Sequence, residues 1–406
     1  MSSVARISVF LVSIVAVVVI LSFWKKHDRA TARAELESRF AADLSVTEND
    51  FSIGCSSPEL VDLAELAELV ARLGEGQPTI LDLTGAPALV SLAGIERFTG
   101  LKSLVAIDCG SLVSAEGVKG HPSLTELVFT DSAALVDVSA VQGIRNLTTL
   151  DFSGCLALTH LDLVDLPALE NLYLSRCQSL QKLDVSEVTG LRQLYTDGCV
   201  TVPEVVGLSG LTSLTDLDVS GCTRLKELPG IRNLATLIVL DIRNVDLQDF
   251  SEIAALPKLR ILRMGGQDAI ETLEPFTSIT SLRELHLEAC PNLYSLKGMP
   301  PGVSQYAGFN YCPKLVSLDG IEAAKGLEQL DVTGCEILSQ ISALSQLSSL
   351  RQLNLVKCRQ VMEIRSVEKL SELIIVMLGG SGVIPASVKE LALVNEEMIF
   401  DFSVAD

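Results

Sequence analysis

The phrase L-x-x-L-x-L-x-x-C-x-x-L constrains this chain more than any other feature. Copies begin at residues 78, 101, 124, 147, 169, 191, 214, 237, 259, 282, 304, 327 and 350, at intervals of 22 or 23. Weaker, shorter copies start at 370 and 388. "LTTLDFSGCLAL" (147–158), "LRELHLEACPNL" (282–293) and "LEQLDVTGCEIL" (327–338) show the agreement. Apolar residues at phrase positions 4 and 6 alternate with polar ones, which is strand periodicity. One unit is too short to bury its apolar face alone, so units must stack and share a core. Stacking sets like strand beside like strand in a parallel sheet, ~4.8 Å apart. The 10 or 11 residues that complete each unit are too few for a helix with its loops, so turns and short 3₁₀ segments are expected there.

These residues resemble the leucine-rich-repeat family over roughly residues 78 to 400. The resemblance implies an α/β fold, a right-handed solenoid with a parallel β-sheet on its concave face. The period is similar to the short repeats of bacterial internalins and of the phosphatase-regulator type. The phrase departs from both, with cysteine instead of asparagine at position 9 and the next leucine three residues later. That block is closer to the cysteine-containing and plant resistance-protein subtypes.

The ends read as different material. Residues 7–24, "ISVFLVSIVAVVVILSFW", are 18 residues without a charge, and as a helix they span ~27 Å, enough for a hydrocarbon layer. Trp24 followed by Lys25 and Lys26 resembles an interfacial anchor. The rival is a cleaved signal peptide ending at Ala30-Thr31-Ala32, against which stand the length of the apolar run and the charges after it. The expectation is a transmembrane anchor and a single-pass membrane protein. Four basic residues after the span, against Arg6 before it, place the solenoid on the cytoplasmic side. Residues 25–55 read as a charged stalk, helical or flexible, and residues 56–77 as a helical N-terminal cap. The cap signals are a capping box of Ser56 with Glu59, Pro58 near the first turn and a closing Gly74. Residues 78–400 form about 15 repeats and 401–406 a tail.

Nine of the ten cysteines stand at position 9; only Cys55 does not. Position 9 follows the strand where the backbone turns inward, and a small, apolar, weakly donating thiol suits that slot. A zinc site needs four converging ligands at short spacing, whereas these thiols form a line one repeat apart. Catalysis needs a thiolate beside a base or a cation. Disulfides between neighbouring rungs are sterically conceivable, but the uninterrupted series Cys155, Cys177, Cys199, Cys222 reads better as a repeated structural answer. Many unpaired thiols also agree with a reducing compartment. The sequence holds no phosphate-binding loop, no G-x-S-x-G and no H-E-x-x-H. No enzyme activity, metal or cofactor is therefore expected.

Function is expected at positions 3, 5, 7 and 8, which face solvent from the sheet. Fourteen acids fall there, against the bases Arg176, Arg243, Arg263 and Lys357. The formal charge is −20, and residues 1–33 carry +4 (five Lys/Arg, one Asp), leaving −24 on the rest. This disfavours direct nucleic-acid binding, which needs basic patches, and points to a basic protein partner. Four of the five tyrosines lie on the face, and tyrosine is enriched at interface centres. The candidate protein-binding residues are Tyr173, Tyr195, Asp216, Asp218, Asp241, Arg263, His286, Tyr306 and Tyr311. The bland alternative is that the acids serve solubility and the tyrosines merely suit strands. The expected function is a membrane-anchored protein-interaction scaffold; the alternative is an extracytoplasmic adhesin or receptor for a host or cell-surface ligand.

Overall fold

Each repeat contributes one short strand, and the strands pair in parallel with like position beside like. A computed structural model describes residues 25–46, 51–389, 391 and 398–403. It divides into two compact units, one running to Leu158 and taking in Asp162–Ala168, the other comprising Thr159–Leu161 and Leu169 onward. In the first unit, β1 (Asp43–Val46) pairs antiparallel with β2 (Phe51–Gly54), and parallel pairing continues through β3 (Ile80–Asp82), β4 (Ser103–Val105), β5 (Glu126–Val128) and β6 (Thr149–Asp151).

In the second unit β7 (Asn171–Tyr173) pairs with β9 (Gln193–Tyr195), which pairs with β11 (Asp216–Asp218). The ladder continues through β12 (Val239–Asp241), β13 (Ile261–Arg263), β14 (Glu284–His286), β15 (Tyr306–Gly308), β16 (Gln329–Asp331), β17 (Gln352–Asn354), β18 (Ile375–Met377) and β19 (Ile399–Asp401). Between these strands, β8 (Leu183–Asp184) and β10 (Val205–Val206) make a small parallel pair on the returning segments. Other returns hold 3₁₀ turns, as at Ile95–Arg97 and Ile231–Asn233. The position-4 residue of each middle strand is buried, Leu104 and Leu217 among them. Phe129 and Phe152, at position 6 of adjacent rungs, stack with centroids 5.6 Å apart.

Pairing corrects the last two registers. Ile375 stands opposite Gln352, and Ile399 opposite Ile375, so these rungs begin at 373 and 397 instead of 370 and 388. Met377, not Ile374, therefore takes position 5, and Glu372 lies in an exposed turn off the sheet. Glu390 lies outside the described residues. Pairing at spacings of 23 and 24 residues outweighs the poorer match of the phrase, because a strand out of register would turn its apolar side to solvent.

The amino-terminal reading changes most. Residues 7–24 lie outside the described residues, and among the described residues no helix is long and apolar enough to cross a membrane. The expected transmembrane helix is accordingly removed from the fold, and the single-pass membrane placement is withdrawn with it. The described helix beside that segment, α1 (25–39), is amphipathic and charged. It buries Ala32 and Leu36, with Phe40 just beyond its end, while Lys25, Lys26 and Arg29 are exposed. Arg72 of α2 (Ala64–Leu73) reaches back to Asp28 at 2.8 Å and Glu35 at 3.3 Å, and Arg39 pairs with Glu65. α2 ends at Gly74 in the left-handed conformation, as expected, but the Ser56–Glu59 box does not open it. Asp62 accepts from the Ala64 amide instead, and Ser57 accepts from that of Glu59. Cys55 sits in a core slot directly after β2 and is 3% exposed.

All ten cysteines, the nine at position 9 among them, are buried and outside any disulfide. Within each unit the thiol is placed to donate to the position-6 carbonyl of the preceding rung. Cys155 reaches Phe129 at 3.2 Å, Cys199 reaches Leu174 at 3.1 Å, Cys222 reaches Thr196 at 3.1 Å and Cys358 reaches Val332 at 3.1 Å. Where cysteine is absent another donor can serve: Ser132 reaches Ala106 at 2.8 Å and Gln267 reaches Ile242 at 2.8 Å. The same carbonyl also takes the position-9 amide of its own rung, as Thr196 takes that of Cys199 at 3.1 Å. Burial pushes the Cys222 thiol up to about 12, so it stays protonated and unreactive.

His121 occupies the outer core slot that Phe98 and Ile144 fill in neighbouring repeats, and it is 6% exposed. Neither ring nitrogen makes a hydrogen bond there. Burial pulls its pKa below the ordinary value, with the nearby Phe98 and Ile95 carbonyls opposing only in part.

Two predictions follow from this packing. Cys222→Ala removes one of two donors to the Thr196 carbonyl and leaves a small void, so urea unfolding should show a loss of about 1–2 kcal/mol. Cys222→Ser, which keeps a donor as Ser132 does, should lose less; equal losses would mean that the thiol acts through volume alone. For His121, the unfolded chain takes up a proton near pH 6.5 that the folded chain refuses, so stability falls as pH drops below that value. The urea midpoint should therefore be lower at pH 5.5 than at 7.5, and His121→Leu should shrink that difference.

Candidate functional site

The acidic column at position 5 has a structural task first. Seven position-5 side chains accept the position-7 amide two residues on, which fixes the turn after the strand. The pairs are Asp82 with Thr84, Asp151 with Ser153, Asp218 with Ser220, Asp241 with Arg243, Asp331 with Thr333, Asn354 with Val356, and Asp401 with Ser403, at 2.7–3.1 Å. Position 8 then adopts positive φ. Glycine fills it at Gly198 and Gly221, but Tyr311 holds φ 57°. A position-5 aspartate is thus no evidence by itself of a binding face.

The exceptions in the second unit are Tyr173, Tyr195, Arg263, His286, Gly308 and Met377. Tyr173 and Tyr195 stand side by side in register and stack at 5.4 Å, 25° from parallel. The Tyr173 hydroxyl donates to Gln193 at 2.5 Å, and Ser175 to Asp197. Further along, His286 stacks on Tyr306 at 4.5 Å and 26°, with its Nε2 3.2 Å from Glu284. Gly308 makes this possible: a Cβ there would stand 2.6 Å from the Tyr306 hydroxyl, so only glycine lets that ring lie across the strand.

Between the stacks, Asp216 accepts from the Thr215 hydroxyl at 2.6 Å. Asp241 is 2% exposed, and Arg243 grips it through Nε at 3.0 Å and Nη2 at 2.7 Å. That pair is electrically closed, because a buried carboxylate without its partner is costly. Arg263 makes no ion pair among the described residues. Burial raises the pKa of Asp218, and burial with the charge of Asp216 raises that of Tyr195. Burial, helped by Asp331, pushes Tyr306 up to about 12. Burial lowers His286 although Glu284 opposes it. At neutral pH Tyr195 and Tyr306 are therefore protonated and His286 is uncharged.

Of the residues expected from sequence, the structure joins Tyr173 with Tyr195 and His286 with Tyr306. It commits Asp241 to Arg243, and it places Tyr311, 55% exposed, on the turn beyond the strand with its ring over Gly334. Sequence reasoning missed Gln193, Glu284 and Gly308 as partners in the stacks. The available signal was the break in the position-5 column, where Tyr, Tyr, Arg, His and Gly interrupt a run of Asp. Among the described residues no group of His, Cys, Asp or Glu is arranged to hold a metal ion.

A stack of parallel rungs with this phrase and this inward ladder has the leucine-rich-repeat fold. Solved structures agree. An internalin (InlF) from Listeria monocytogenes is 20% identical, covering 85% of this chain and 95% of its own, with a TM-score of 0.57. A leucine-rich-repeat protein of Leptospira interrogans is 17% identical, covering 84% and 99%, with a TM-score of 0.53. The TLR13–ssRNA13 complex gives 18% identity over 83% of this chain and 56% of that one, with a TM-score of 0.60. No family model and no curated protein matches the chain.

Proposed function

We propose that the chain is a non-enzymatic protein-interaction scaffold, and that the solvent face of the second unit's sheet takes a protein partner with a basic surface. The observation that supports this most is the interruption of the position-5 turn caps. Six rungs of this unit lack a position-5 side chain that caps the turn, and three of them present a ring there instead, Tyr173, Tyr195 and His286, residues suited to contact. Half-buried tyrosines present area and a hydroxyl at small entropy cost. The carboxylates around them and the formal charge of −20 favour a cationic partner. The same charge disfavours a nucleic-acid ligand such as that of the TLR13 complex, because phosphates need basic contacts.

The expected result is that a tagged full chain captures protein partners which the Tyr195→Ala/Tyr306→Ala double variant loses, while its urea midpoint shows an intact fold. Capture of the same partners by the folded double variant would place binding elsewhere.

A further inference from the structure

We propose that the two aromatic pairs, Tyr173–Tyr195 and His286–Tyr306, are twin seats for two basic side chains of one extended segment of the partner, laid across the strands. The inference rests on the binding face proposed above and gives its ligand a chemistry and a spacing. An aromatic face attracts a guanidinium or ammonium group, and planar arginine stacks on it best. Each seat has carboxylates beside it. Asp216 and Asp218 lie on the strand next to Tyr195, with Asp197 two residues on from it. Glu284 pairs in register with Tyr306, His286 stacks on that ring, and Asp331 stands opposite Gly308 on the next strand.

The spacing follows from the register. Tyr195, Asp218, Asp241, Arg263 and His286 stand opposite one another on β9, β11, β12, β13 and β14, so four strand steps separate the seats. At ~4.8 Å per step this is ~19 Å, which an extended chain rising ~3.3 Å per residue covers in about six residues. The middle of the path is not attractive to a cation. Arg243 closes the charge of Asp241, and Arg263 is a like charge. The strands on both sides of the path are paired within the sheet, so the segment is held by its side chains and not as an added strand. A basic residue at each end with neutral residues between fits this pattern of two attractive ends and a neutral-to-repulsive centre.

The test uses the full chain and labelled peptides of glycine and serine carrying two arginines three, six or nine residues apart, read by fluorescence anisotropy. The six-residue spacing is expected to bind at least about five-fold more tightly than the others, the order of one extra cation–π contact. Tyr195→Ala and Tyr306→Ala should each erase that preference. Arg263→Ala, a surface change that leaves both stacks in place, should tighten binding by removing the like charge. Equal binding at all spacings, or weaker binding by Arg263→Ala, would overturn the proposal. So would displacement of the peptide by single-stranded RNA. Loss of a basic folded partner on Tyr195→Ala without any spacing preference would overturn the twin seats and leave the scaffold reading standing. Peptide binding unaffected by either tyrosine variant would overturn both.

Discussion

The rest of the structure depends on the shared carbonyl at position 6. The chain turns inward after each strand, and the turn leaves a carbonyl in the core that water cannot reach. It accepts the position-9 amide of its own rung and then a side-chain donor from the next rung, as Thr196 does from Cys199 and Cys222. The donor must be small, tolerate an apolar core and still reach a neighbour. Cysteine meets all three conditions, and serine and glutamine meet them at Ser132 and Gln267. Every ladder bond therefore joins two rungs, which is why neighbouring repeats stabilise one another.

This division of labour changes the meaning of the acidic face. Aspartate at position 5 closes the turn on one side of the sheet as cysteine at position 9 closes it on the other. Asp82, Asp151 and Asp331 need no ligand to explain them. Tyr173, Tyr195, Arg263 and His286 cap no turn and bury little core. Their presence instead of aspartate costs each rung a hydrogen bond of about 1 kcal/mol. Repeat proteins carry function where the repeat is broken, because the repeat itself is already committed to the fold.

Most of the fold was legible in the sequence because one phrase repeats, and a fixed period leaves few ways to stack. The register of the last two rungs was not, because "LSELIIVMLGGS" (370–381) offers apolar residues at several offsets and only pairing with Gln352 selects one. The charges after residue 24 read as a stalk or anchor because sequence alone cannot show Ala32 and Leu36 buried, or Asp28 and Glu35 paired with Arg72. The tyrosines were visible on the face of the sheet, but the stacks were not. That Tyr306 lies across Gly308 toward His286 depends on a missing side chain, which a search for conspicuous residues passes over.

The central claim, that the cysteines are a buried hydrogen-bonding ladder and not reactive or bridged groups, is tested most directly by counting accessible thiols. Native full-length protein treated with iodoacetamide at pH 8 and weighed by mass spectrometry should carry no label on any of the ten cysteines, and all ten should label after unfolding in urea. Modification of a ladder cysteine such as Cys222 in the folded protein, or fewer than ten labels without reductant after unfolding, would contradict it.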